Sequence, residues 1–184
     1  VDITRNLSDK ELQLIKNSGG VVQIVGFSQY LRPLTQGTQD KLNELRKRYD
    51  LPPLPNLAMA LMPGDPIIAA WSEQKFGEYA GQLYAILEEE PKASLKDLGD
   101  AIDYTVRKIG IDHVGISSDF NEGGGVKGWE NVGEIRNVTA ELLSRGYSEA
   151  DIAKLWGGNF LRVWDQVEKS AKPAVAAAQD TVKP

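Results

Sequence analysis

Asp119 closes the run "VGISSD", in which four β-compatible residues, Val114 to Ser117, lead into an acid and then into the glycines 123 to 125. In α/β proteins a residue at the carboxyl end of a strand faces the site, and the loop beyond it does the binding. A carboxylate so placed can take up or deliver a proton; it can equally serve as a turn acceptor or helix cap. The three glycines either cradle a phosphate or let the backbone pass close to a pocket, and no Lys or Ser/Thr follows them at P-loop spacing. His113, the single histidine, stands six residues before Asp119 at the opposite end of the same strand. With one histidine, at that end of the strand, no Ser-His-Asp or Cys-His arrangement is credible, and with no cysteine either a zinc site would lack the partners it needs, so a structural role is expected for His113. Two further residues are suited to holding a ligand. Arg5, in "TRNLSD" just before a helix start, is either a planar fork for a carboxylate or a solvated surface group. Tyr30, just past "VVQIVGF", can donate from its phenol or cover the rim of a core.

The elements that position these residues follow from periodicity and punctuation. Asn6 or Ser8 can cap a helix over "DKELQLIKNSGG", which Gly19 and Gly20 stop. "VVQIVGF" is short and β-branched, as a strand buried on both faces of a parallel sheet would be. From Ser28 to Met62 a helical segment is broken by Pro52, Pro53 and Pro55, and a connection of that length is usually functional or interfacial. "EQKFGEYAGQLYAILEEE" and "SLKDLGDAIDYTVRKIG" read as helices, the second capped by Ser94 and stopped by Gly110. After the strand at 114–117 come two closing helices, "NVGEIRNVTAELLSRG" and "SEADIAKLWGGNFLRVWDQVEK", the latter bent at Gly157-Gly158. Its Trp156, Phe160 and Trp164 recur at helical spacing and are expected in the core. This is an α/β order with two parallel strands, too few for a core of their own, which points to a portion of a larger sheet. A (β/α)₈ barrel needs about 250 residues, and strand-helix units followed by closing helices would be its C-terminal portion. Residues 1–168 are assigned to that one barrel domain, and the small, polar residues 169–184 to a loosely held tail.

A net charge of -5, with 41% hydrophobic and 26% charged residues, describes ordinary globular material without the basic stripe of a nucleic-acid binder. The most apolar stretch, "LAMALMPGDPIIAAW", is interrupted by Pro63, Asp65 and Pro66, so no transmembrane segment is expected. "VDITRNLSDK" has no apolar signal region.

The segments "TRNLSDKELQLIKNSGGVVQIVGF" with Tyr30, "GIDHVGISSDF" and "NVTAELLSRGYSEADIAKLWGGNFLRVW" resemble, in order, the C-terminal half of the membrane (renal-type) dipeptidase family, particularly its bacterial branch. The resemblance implies a (β/α)₈ barrel of the amidohydrolase group and hydrolysis of a dipeptide or small amide by two zinc ions. It puts Arg5 on the arginine that holds the substrate's C-terminal carboxylate, Tyr30 on a tyrosine lining the pocket, and Asp119 on the aspartate that faces the dinuclear centre and handles protons. The family's zinc ligands, a His-x-Asp near the start of the barrel, a bridging glutamate and two later histidines, all lie upstream of the matching region. No metal ligand is therefore expected in this chain, and the N-terminal half of the barrel becomes its required partner. A homodimer and, by analogy with exported bacterial relatives, a periplasmic or cell-envelope location are implied too. Two departures stand out. The family often reads Asp-Phe-Asp-Gly where this chain has Asp119-Phe120-Asn121-Glu122, which bears on specificity. The connection after Ser28 is longer than in mammalian members, which bears on a lid or subunit contact. The alternative function is a non-catalytic carboxylate-binding or scaffold module that keeps Arg5 and has lost the metal half.

Overall fold

The computed structural model describes residues 6–53 and 66–179, and helix dominates them. In chain order the elements are α1 (Asp9–Asn17), β1 (Val22–Val25), α2 (Ser28–Leu31), α3 (Gln36–Arg48), α4 (Pro66–Ala69), α5 (Glu73–Glu88), α6 (Leu95–Ile109), β2 (Val114–Ser117), α7 (Ile135–Ser144), α8 (Glu149–Ala153) and α9 (Asn159–Gln179). The chain divides into two compact units, residues 7–27 with 94–184 and residues 1–6 with 28–93.

The first of these carries both strands. β1 and β2 pair in parallel, Val22 opposite Val114 through Val25 opposite Ser117. Val114, Gly115 and Ile116 of β2 are buried, whereas all four residues of β1 remain half-exposed, unlike the strand buried on both faces that the β-branched run predicts. The physical reason is cover: α6, residues 154–158 and α9 all pack on β2, whereas α6 is the main helix packed on β1 among the described residues. The helix starts follow the sequence. Ser8 caps α1 in a reciprocal box with Glu11, and Ser94 caps α6 with Asp97, satisfying first-turn amides that have no partner within the helix. α6 buries Leu98, Ile102, Thr105 and Ile109, a spacing of four, three and four that keeps one face inward. Each such aliphatic side chain contributes roughly 1.5–3 kcal/mol on burial.

Two polar ties lock the closing helices to this frame. Arg145, just past α7, lies across α6, donating to Asp100, Asp103, Glu141 and the Lys96 carbonyl. Gly99 makes the seat, since a Cβ there would stand 2.3 Å from the Arg145 Nε. Asn159, 2% exposed, donates to the carbonyls of Ile111 and Val114, at 2.6 and 2.8 Å, pinning the start of α9 to the start of β2. The expected bend at Gly157-Gly158 is a π-helical turn over Lys154–Gly158. Phe160 and Trp164, expected in the core, are 46% and 57% exposed and lean on each other with ring centroids 5.9 Å apart. Helical spacing marks a common face without saying what covers it, and no described element covers this one.

The other unit has its own core of Leu42, Leu45, Leu51, Ile68, Tyr79 and Leu83. Tyr49, Trp71 and Tyr79 meet pairwise at 5.2 to 5.5 Å, in the tilted and edge-on arrangements aromatic rings prefer. Lys75 sits 4.5 Å from the Trp71 ring centre. Arg46 is buried and donates from Nε to the Pro52 carbonyl at 2.7 Å.

Candidate active site

Beyond Ser117, the last residue of β2, the backbone turns sharply. Asp119 adopts left-handed φ 58°, ψ 28°, a conformation that costs an L-residue about 1–2 kcal/mol and that Asp tolerates better than most. Its carbonyl accepts from the amides of Glu122, at 3.1 Å, and Gly124, at 2.8 Å. Gly124 has no room for a side chain, because a Cβ would lie 2.3 Å from the Ser118 carbonyl oxygen. Gly125, at φ 120°, donates to the Gly26 carbonyl at 2.6 Å, with Phe27 paired alongside it. The glycine loop is thus folded back onto the end of β1. With the amides of Gly124 and Gly125 already bonded, these two donors are not available to cradle a phosphate; the close-backbone alternative accounts for them.

Beneath this turn lies a residue that the sequence reading passes over. Trp129 is 2% exposed, and a Cβ on Gly26 would stand 3.0 Å from its ring. Its indole meets Phe120 and Trp156 edge-on at 5.3 and 5.9 Å, and Trp156 is held in turn by a 3.1 Å bond to Thr139. The aromatic stack fixes the floor under Phe120, the residue after the acid. The available signal was a tryptophan directly after glycine in an otherwise polar loop, which periodicity does not weigh. The Asp119 side chain is half-buried, and its carboxylate accepts no hydrogen bond from the described residues.

Stabilising contacts gather at the amino end of β2. His113 Nδ1 is 2.8 Å from the Gly20 carbonyl, the structural role expected of it. Asp112 pairs with Lys154 at 2.7 Å, and that hydrogen bond lowers its carboxyl pKa despite some burial. Arg162 donates to the carbonyls of Gly19 and Asp112. In parallel α/β folds the amino end of the strands serves stability, and these contacts at the amino end of β2 are of that kind.

Tyr30 belongs to the other unit, half-buried on α2, and its carbonyl accepts from Asn6 Nδ2 at 2.9 Å. Arg5 lies outside the described residues. Among the described residues no three His, Cys, Asp or Glu side chains converge where a metal ion could be held, so these residues by themselves do not fit a zinc centre. No described helix is long and apolar enough to cross a membrane.

The family described as membrane dipeptidase (peptidase family M19) matches residues 1–178. The chain is 39% identical over 104 residues to the dipeptidase aclJ of Aspergillus oryzae, covering 55% of this chain and 25% of that protein. It is 35% identical over 98 residues to the dipeptidase tcpJ of Claviceps purpurea, covering 53% and 22%. Among solved structures it is similar to the probable dipeptidase PvdM from Pseudomonas aeruginosa, at 74% identity and a TM-score of 0.85, over 92% of this chain and 42% of that one. The chain thus spans about a quarter of these curated relatives and under half of the solved one.

Proposed function

Because the chain belongs to the membrane dipeptidase family, we propose that it is the C-terminal portion of a (β/α)₈ barrel that hydrolyses dipeptides or related small amides. The observation that carries this reading is Asp119, a carboxylate without a hydrogen bond from the described residues, set by an unusual backbone turn just past the carboxyl end of β2. Asp119 accepts a proton from the attacking water and returns it to the leaving amine, the task of a positioned carboxylate in amide hydrolysis. Arg5 forms the fork that takes the substrate's terminal carboxylate. Tyr30 lines the pocket, its backbone held by Asn6. The zinc ions that the family generally uses supply Lewis-acid polarisation when bound. Their ligands are assigned to the preceding half of the barrel, the chain's partner in this reading.

In the complete enzyme, Asp119→Asn keeps shape and removes charge and basicity. Turnover is expected to fall by about two to four orders of magnitude, the range for a positioned acid-base group, with metal content unchanged. Full turnover in a folded, metal-loaded Asp119→Asn enzyme removes Asp119 from the chemistry. No dipeptide turnover in the unmodified complete protein favours the carboxylate-binding module instead.

A further inference from the structure

We propose that Trp129 is a positioning residue for the reaction: braced by Trp156, its ring holds Phe120 and, through it, the left-handed turn that presents the Asp119 carboxylate. The inference rests on the dipeptidase reading above.

The turn at Asp119 needs support from outside itself. Bonds from the Glu122 and Gly124 amides to the Asp119 carbonyl close it locally; they fix its shape and not its orientation on the strands. Its far end is fastened at Gly26, which accepts from the Gly125 amide and donates to the Ser117 carbonyl at 2.8 Å. Its near end, the residue next to the acid, is Phe120, whose ring meets Trp129 edge-on.

Trp129 is in turn well anchored. It closes a two-residue hairpin with Val126, donating to the Val126 carbonyl at 2.8 Å and accepting from the Val126 amide at 3.1 Å. Gly128 takes φ 93° within that hairpin, where a Cβ would stand 2.9 Å from Leu95 Cδ1. The Lys127 carbonyl accepts from the Leu95 amide at 3.3 Å, and the Gly128 carbonyl from Asn137 Nδ2 at 2.8 Å. These bonds moor the hairpin to the first residue of α6 and to α7. From this fixed base the indole spans from Phe120 to Trp156. All of these residues belong to the strand-bearing unit.

The indole also carries a cost. Its Nε1 is buried with no hydrogen-bond partner among the described residues, and a buried donor left unpaired is destabilising. A phenylalanine would occupy much of the same space without that penalty, so stability alone does not select the indole. What the larger ring adds is reach, with Phe120 on one side and Trp156 on the other. Catalytic groups work only when held in place by neighbours whose own side chains are locked by packing. A left-handed acid and an unpaired indole donor within one loop are local costs of the kind retained where geometry serves function.

Trp129→Phe and Phe120→Leu in the complete enzyme, singly and together, test this. Each single variant should lower kcat for alanyl-alanine by about tenfold to a hundredfold, the effect of a misplaced catalytic group. KM should stay within about threefold, because binding contacts are untouched, and metal content should not change. Followed by hydrogen exchange, the Glu122 and Gly124 amides should open about tenfold more readily, while those of Ile102 and Thr105 in α6 keep their rates. The double variant should lose no more than the worse single one, since both act through one contact. An unchanged kcat in a folded Trp129→Phe enzyme, losses that multiply in the double variant, or faster exchange throughout α6 overturns the proposal. If Trp129→Phe does not fold, Phe120→Leu decides by the same readouts. If the unmodified enzyme turns over no dipeptide, the dipeptidase reading fails, and exchange at Glu122 and Gly124 still decides whether Trp129 holds the turn.

Discussion

Asp119 combines a left-handed backbone with the proton-handling task proposed for it, two properties that ordinarily oppose each other. Left-handed φ is unfavourable for any side chain, and glycine would relieve it. Asp119→Gly is therefore expected to raise stability by up to about 1 kcal/mol while abolishing turnover, the trade-off found where strain is retained for function. Thermal unfolding and a dipeptide assay on the same preparation check it; loss of stability together with activity would mean that the carboxylate holds the loop. For Arg5 the expectation is chemical. Arg5→Lys replaces a bidentate fork by a point charge, so the preference for dipeptides over their C-terminal amides should shrink, and an unchanged preference takes Arg5 out of the pocket. Asp119 could be located from sequence because an acid at the end of a β-branched run is a local pattern. Trp129 could not, since its importance arises from Gly26 and Phe120, brought beside it only by the parallel pairing of β1 and β2.

Elements were legible where their signals lie within a few residues. Ser8 with Glu11 and Ser94 with Asp97 announce α1 and α6, and the structure places caps at both. What joins elements was not legible. Nothing in "KDLGDAID" reveals that Gly99 is a seat for Arg145, which is 46 positions away. Gly99→Ala would gain about 1 kcal/mol of helix propensity but displace a guanidinium bonded to three carboxylates and a carbonyl. We expect a net loss of about 1–3 kcal/mol, the cost of leaving charged groups without partners. In a double-mutant cycle, Gly99→Ala should cost far less in an Arg145→Ala background; equal costs in both would mean that the seat is not the reason for glycine. The bonds from Thr35 to Glu90 add a pH dependence. Burial raises the Glu90 pKa, but hydrogen bonds from Thr38 and Thr35 and the charge of Arg32 outweigh it and leave the group below its ordinary value. A carboxyl with a depressed folded pKa stabilises above its unfolded pKa, about 4.5, and that contribution is lost as pH falls through the folded pKa. Protection of α3 and α5 against hydrogen exchange should therefore decline in mild acid, and less so in Glu90→Gln.

For the whole molecule, the sequence pattern implied two parallel strands and closing helices, and both are present. It misjudged cover. "VVQIVGF" reads as a strand buried on both faces and Phe160 and Trp164 as core, yet Val22–Val25 are half-exposed and Phe160 and Trp164 largely so in this chain. A pattern of apolar residues records what a chain buries in its complete setting, whichever polypeptide provides the cover. In the proposed reading the missing cover and the missing metal ligands have one origin, the N-terminal half of the barrel. The most direct test is metal analysis of residues 1–184 purified alone, with a dipeptide assay, repeated after addition of that half. No stoichiometric zinc and no turnover alone, with both recovered together on mixing, is the predicted result. Two tightly held zinc ions with turnover in the isolated chain would contradict it and place the centre among residues of this chain.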